Sequence, residues 1–286
     1  MTARALALGD PHLIPAALIV TNLVAIGAAA YFGARLVSGG GHHAFFGLGI
    51  ALLPGLLTSL VRDLAEPLAL ALLLGSLVAL RRGQALPAAL LMTLAVLTRE
   101  TALIVLLAAG LLLIYRIFRR GPGVDSRSLW LFVTLPFGVF AAWQLFLADR
   151  WGAIPLFSAR TVAGPPVQGL VDGFRFADMM AAGLPTLWLV EVGVLLGVAA
   201  AGLATLRRSS APTLERLALI LYVVLILVLT ENVWRDIWAF VRVGTEPAAL
   251  AVVVALDSDW PTALRASLLA AVMLGWGVLA FFTLPA

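Results

Sequence analysis

The chain is a succession of apolar runs separated by short charged or turn-forming connections. Ten runs stand out, at about 13–36, 44–61, 64–80, 85–97, 101–118, 129–148, 182–205, 213–230, 237–256 and 264–284. Most have the roughly 17 to 25 residues that a helix needs to cross a hydrocarbon core. In lipid the backbone must satisfy its own hydrogen bonds, which leaves helices as the structure for such runs. The pattern predicts an all-α, polytopic transmembrane helical bundle of about ten membrane segments. It forms a single domain over 1–286 with one long outer connection at about 149–181.

The arginines between the runs orient the bundle. Arg81 and Arg82 form one basic loop, Arg116, Arg119, Arg120 and Arg127 a second, and Arg207, Arg208 and Arg216 a third. If all three face the cytoplasm, the runs between them cross in pairs. Arg35, the His42–His43 pair and the turn "DSDWPTALR" then also fall inside, and the connections at 62–63, 98–100, 149–181 and 231–236 fall outside. Both termini come out on the outer side. An outside start points to a further helix upstream of the first run.

The fourth run, "ALPAALLMTLAVL", has only 13 residues, about 20 Å of helix. That falls short of a core of roughly 30 Å. "TRET", residues 98–101, is therefore expected to turn below the outer surface in a protein-lined recess, in preference to one continuous helix from 85 to about 118. In the long outer connection, "LVDGFRFADMM" is expected to lie as a short interfacial helix, with Arg175 and Asp178 paired at i and i+3.

Composition agrees with the pattern. The chain is 62% hydrophobic and 12% charged, against roughly a quarter charged in soluble domains, and its mean hydropathy is +1.06. The isoelectric point near 10.6 reflects an excess of only +4, spread over short loops, and does not call for nucleic acid as a partner. With no cysteine, thiolate nucleophiles, disulfides and zinc–thiolate sites are excluded. His42 and His43 follow three glycines, and that spacing does not specify a metal site.

The acid–base residues fall on the predicted outer side: Arg62, Asp63 and Glu66; Arg99 and Glu100; Glu231, Arg235, Asp236, Arg242 and Glu246. Ionisable groups near the membrane face protein or water and mark ligand paths. Two segments resemble each other: "RDLAEPLALA" at 62–71 and "RVGTEPAALA" at 242–251. Glu-Pro suits a helix start, because proline there forfeits no hydrogen bond and the dipole favours the carboxylate. Asp63 and Glu66 could alternatively form a capping box. Arg62 with Glu66, and Arg242 with Glu246, are spaced as i,i+4 salt bridges. An arginine at the water boundary can also grip a phosphate in two-point fashion. Trp151, Trp234 and Trp238 are expected as interfacial anchors.

The segment from "RDLAEPLALA" through "LTRETALIVLLA", together with "VWRDIWAFVRVGTEP", resembles the integral-membrane glycosyltransferases of the GT-C superfamily. In particular it resembles bacterial proteins of cell-surface glycopolymer formation. The shared features are an acid and Glu-Pro opening a helix, a short basic loop, a brief helix, Thr-Arg-Glu-Thr, and an aromatic-rich outer segment with arginine before a helix-starting proline. The resemblance implies transfer of a sugar from a polyprenyl-phosphate carrier to a glycan or lipid acceptor at the outer face of the bacterial inner (cytoplasmic) membrane. It also implies a catalytic acid in the first outer loop after the family's first helix. This chain has no counterpart of that loop, and its first run corresponds to a later helix of the family.

On this reading Asp63 and Glu66 are the catalytic candidates. Arg62, Arg99, Arg235 and Arg242 hold phosphate, and Glu100 orients Arg99. A divalent cation is a further candidate cofactor, without a ligand spacing that calls for one. The alternatives are a non-catalytic membrane partner in an envelope glycan complex and a transporter or flippase of lipid-linked sugars. The transporter would want polar residues deep in several helices, whereas the cores read as nearly pure Leu, Ala and Val.

Overall fold

The structure, a computed structural model, describes residues 10–38, 44–62, 64–119, 126–158, 163–177 and 183–283. Regular structure among them is helical throughout, apart from two isolated bridges, Ala163 with Leu229 and Ser209 with Ser258. The principal helices are α1 (Ile14–Ser38), α2 (Pro54–Val61), α3 (Glu66–Arg81), α4 (Ala85–Thr98), α5 (Leu103–Arg119), α6 (Ser126–Trp151), α7 (Gln168–Ala177), α8 (Leu184–Thr205), α9 (Thr213–Val228), α10 (Glu231–Arg235), α11 (Ile237–Val243), α12 (Thr245–Leu256) and α13 (Thr262–Thr283). A 3-10 segment over Ala44–Leu52 precedes α2.

Each apolar run contains helix, but their lengths divide them. Among the described residues five helices are long and apolar enough to cross a membrane: Pro11–Ser38, Glu100–Phe118, Arg127–Trp151, Leu184–Thr205 and Thr262–Phe282. Counting the bent pairs Ala44–Leu52 with α2 (47°) and α11 with α12 (44°) raises the number to seven. The outer helices expose Val24, Leu90, Leu107, Phe137 and Leu274, an apolar surface that suits a multi-pass membrane protein. Helices α3 and α9 have 16 residues and α4 has 14, about 24 and 21 Å.

The short helices carry their ends into protein instead of lipid. Arg99 leaves the helical region (φ −155°, ψ 126°) and ends α4, and a 3-10 turn at Glu100–Ala102 leads into α5. The chain thus breaks at the recessed turn and does not run on as one helix. Tyr222 of α9 donates to the freed carbonyl of Thr101 at 3.0 Å.

α12 is the centre of the bundle: every residue from Thr245 to Leu256 is buried. Its alanines let neighbours approach closely, and a Cβ on Gly202 of α8 would stand 2.9 Å from the Cα of Ala251. Small residues serve such contacts where lipid and side chains are equally apolar.

Helix directions follow from the ends that meet. The carbonyl of Leu36 near the end of α1 receives a hydrogen bond (2.9 Å) from Arg81, the last residue of α3, so α1 and α3 run parallel. Ser209, just after α8, donates to Val254 near the end of α12 at 2.8 Å. Phe282 of α13 lies by Gly183, which precedes α8, and lines a cavity with Arg62 and Trp238. These contacts define two ends: one holds Arg62, Arg99 and Arg242, the other Arg81, Glu215 and Asp257.

One local expectation lies partly outside the described residues and another is corrected. A short helix is present here as α7; Arg175 pairs with Asp172 at 3.2 Å, one turn back along the helix, and Asp178 lies outside the described residues. Trp234 is not an interfacial anchor: it is 1% exposed and stacks on Phe240 with centroids 5.4 Å apart. Gly173 of α7 packs against it, since a Cβ there would come within 2.9 Å of its side chain. Trp151 is exposed.

A second close backbone approach, outside α12, is between α1 and the Ala44–Leu52 segment. A Cβ on Gly47 would overlap the backbone of Ala34 and lie 2.6 Å from the carbonyl carbon of Gly33. Gly27, on the same α1, has nothing within 4 Å. Gly47→Ala is expected to destabilise the protein by about 1–3 kcal/mol through overpacking, while Gly27→Ala leaves stability undiminished. Thermal unfolding of the two variants in detergent checks this.

Candidate functional site

Four helix ends meet at one end of the bundle, and each brings the charge that its dipole favours. Glu66 is the first residue of α3 and Glu246 the second of α12, each followed by proline. Arg242 sits in the last turn of α11 and Arg99 caps the end of α4. The two Arg-x-x-x-Glu-Pro segments do pair, but crosswise. Arg242 Nε donates to Glu66 Oε1 at 2.8 Å, and Arg99 Nη1 lies 3.4 Å from Glu246 Oε1 and 3.8 Å from Glu66 Oε1. Arg99 Nη1 also donates to the carbonyl of Arg242 at 3.2 Å, and Thr101 Oγ1 donates to Glu246 Oε1 at 2.8 Å.

The i,i+4 bridges expected within each segment are thereby overturned for a geometric reason. Arg62 caps α2 while Glu66 opens α3, so the two do not share a helix. Nor is there a capping box: the residue before α3 is Ala65, with no side-chain cap bond. Asp63 lies outside the described residues.

The other predicted site residues are distributed around this cluster. Arg62 is exposed, with its guanidinium 4.8 Å above the ring of Trp238. Both line a cavity of about 200 Å³ with Thr58, Val61 and Phe282. Glu100 does not orient Arg99. It faces a separate cavity of about 210 Å³ with Trp143 and Gln144. Arg235 is not part of the cluster either: it pairs with Glu231 at 3.0 Å and stacks over Phe176 at 5.0 Å. Asp236 caps α11 through the backbone N–H of Trp238, at 3.0 Å.

Electrostatically the cluster closes on itself, two guanidiniums against two carboxylates. Glu66 and Glu246 are buried, whereas the Arg242 side chain keeps 30% of its surface. Glu246 Oε2 has no hydrogen-bond partner. Among the described residues no group of three His, Asp or Glu is placed to hold a metal. His42 and His43 lie outside them. What the arrangement offers is a partly exposed arginine, Arg242, and, one turn earlier on the same helix, Trp238 in a cavity that carries a second arginine, Arg62, on its aromatic face.

Sequence reasoning missed Thr101 and Tyr222, which complete the cluster, and Glu191, a buried acid in the middle of α8. Of these only Glu191 had a signal in the sequence, a lone acid inside an apolar run, and the run's mean hydropathy masks it. No protein-family model, no curated protein and no solved structure matches the chain.

Removing one member of such a buried network leaves its partner uncompensated, at a cost of about 3–5 kcal/mol. Arg99→Ala is expected to lower stability by about this amount, and Arg99→Met combined with Glu246→Leu to recover most of it. Thermal melts of the single and double variants decide; equal losses would remove the pair from the network.

Proposed function

We propose that the chain is a GT-C-like membrane glycosyltransferase of cell-envelope glycan assembly. It takes a sugar from a polyprenyl-phosphate carrier at the end of the bundle that holds Arg62 and Arg242. The single observation that carries this reading is the convergence of the two Arg-x-x-x-Glu-Pro segments and "TRET" on one mouth, with an arginine-and-tryptophan cavity beside it.

The orientation has its own support. The basic residues Arg35, Arg81, Arg82, Arg207, Arg208, Arg216 and Arg265 belong to the opposite end, as an excess of cytoplasmic positive charge requires. On this reading the ten runs cross in alternation, the short ones inside protein. The N-terminal end of α1 is then outside, and the membrane is the bacterial inner membrane.

In the transfer, an acceptor hydroxyl on a glycan or lipid attacks the anomeric carbon as the bond from that carbon to the phosphate oxygen breaks. A base takes the hydroxyl proton and cations receive the developing phosphate charge. Arg62 and Arg242 are the groups suited to the phosphate, and the face of Trp238 suits a sugar or an isoprenoid. Glu66, held between two guanidiniums, is a poor base and acts to position Arg242 and Arg99. Asp63, next to Arg62 in the chain, takes the role of base.

A specific observation favours a second reading, a non-catalytic partner in an envelope glycan complex: the arginines at the centre already have carboxylate partners.

Vesicles carrying the purified protein are tested with radiolabelled polyprenyl-phosphate sugar. Arg62→Ala, which touches no buried pair, is expected to weaken binding by about tenfold, the worth of one charge-assisted hydrogen bond. Arg242→Ala is expected to abolish product while the protein still inserts. Binding without turnover supports the non-catalytic partner. Equal binding of a polyprenol lacking phosphate overturns both readings.

A further inference from the structure

Glu191 stands apart from the cluster and from every role assigned above. It is the eighth residue of α8, about 10 Å along that helix, and only 2% exposed. Its Oε1 has no hydrogen-bond partner. The side chain lines a small cavity of about 20 Å³ between α8, α2, the α11–α12 break and α13. That volume holds about one water-sized species.

The walls are informative. Gly55 of α2, Val241, Gly244 and Thr245 at the helix break, and Val272 of α13 all face the cavity, and the remaining lining side chains are aliphatic. No lining residue other than Glu191 titrates or carries charge. The charged groups next to the lining residues along the chain, Arg242 and Glu246, are engaged with Glu66 and Arg99. Oxygen is supplied by the break itself. Thr245 Oγ1 bonds to the carbonyl of Val241 at 3.3 Å, and both belong to the interrupted backbone where α11 and α12 bend by 44°. Gly55 makes the space, because a Cβ there would overlap Thr245 Oγ1 and reach 2.5 Å from the Val241 carbonyl oxygen.

A carboxyl in such surroundings needs a positive partner: a bare buried carboxylate is far too costly, and intramembrane acids are functional by default. Interrupted helices, whose ends bring backbone and hydroxyl oxygens to one place, are structures that bind small cations inside membranes. We propose that Glu191 is a binding site for one small monovalent cation, a proton or a sodium ion, exchanging with solvent through the α11–α12 break. The site lies beyond the sugar-phosphate reading and does not depend on it.

The test uses the full-length protein in detergent or vesicles with dicyclohexylcarbodiimide, a reagent for protonated carboxyls in apolar sites, and maps the adduct by peptide mass. A proton site gives labelling of Glu191 that falls by about tenfold per pH unit on the alkaline side of its midpoint and ignores sodium. A sodium site gives labelling that sodium suppresses at fixed pH and choline does not. Infrared difference spectra of the same samples report the carboxyl directly, and the Glu191→Gln variant, where it folds, loses both signals. If Glu191 gives no adduct and no carboxyl band that responds to pH or sodium, the proposal fails. Because no sugar lipid is present, that failure is separate from failure of the transferase reading.

Discussion

Charge inside a hydrocarbon layer has no water to balance it, so each buried ion must find its counter-ion in the protein. The bundle meets this requirement at both ends of the same two helices. Glu66 and Glu246 begin α3 and α12 and are answered by Arg242 and Arg99. At the far end, Arg81 closes α3 and pairs with Glu215, donating Nε to Oε1 at 2.7 Å, and lies 3.7 Å from Asp257 just after α12. Ser210 adds a hydrogen bond to Asp257 at 2.9 Å. Two helices too short to cross a bilayer alone, about 24 and 18 Å, are pinned between two ionic clasps. The longer helices around them shield those clasps from lipid.

This constraint explains why the central contacts are specific in so apolar a sequence. Leu, Ala and Val contacts leave register weakly defined, since sliding one helix along another exchanges like for like. The Arg99 guanidinium, which must reach the Glu246 carboxylate at 3.4 Å and the Arg242 carbonyl at 3.2 Å, fixes register and rotation together. The close glycine contacts, Gly55 on the α11–α12 break and Gly202 on Ala251, then set how near the helices come.

Hydropathy made the runs legible, because it is a local property and each run contains helix. The break at "TRET" was legible for the same reason: 13 residues are too few, and the chain had to turn. What local reasoning could not reach was the pairing. Arg62–Glu66 and Arg242–Glu246 have the right spacing, yet Glu66 is bonded to a residue 176 positions away. Only the fold brings that residue near. Glu100 and Arg235 looked like members of one rim because they share an end of the bundle. They face other neighbours, a distinction that sequence spacing does not carry. Glu191 was hidden by averaging: one acid barely alters the mean of a 22-residue apolar helix, though it dominates the energetics at its own depth.

The complete burial of α12 has a consequence for how the molecule is made. A helix with no face toward lipid in the finished fold has to exchange lipid for protein on every side, and the groove that receives it is built from helices on both sides of it in the chain. The ribosome therefore releases α1 to α9 into the membrane before their central strut exists. Until residues 245–256 emerge, Glu66 and Glu215 sit in a half-built scaffold whose inner walls are open. Biogenesis of this protein is a late-locking assembly, in which one buried segment converts a loose set of inserted helices into a single body.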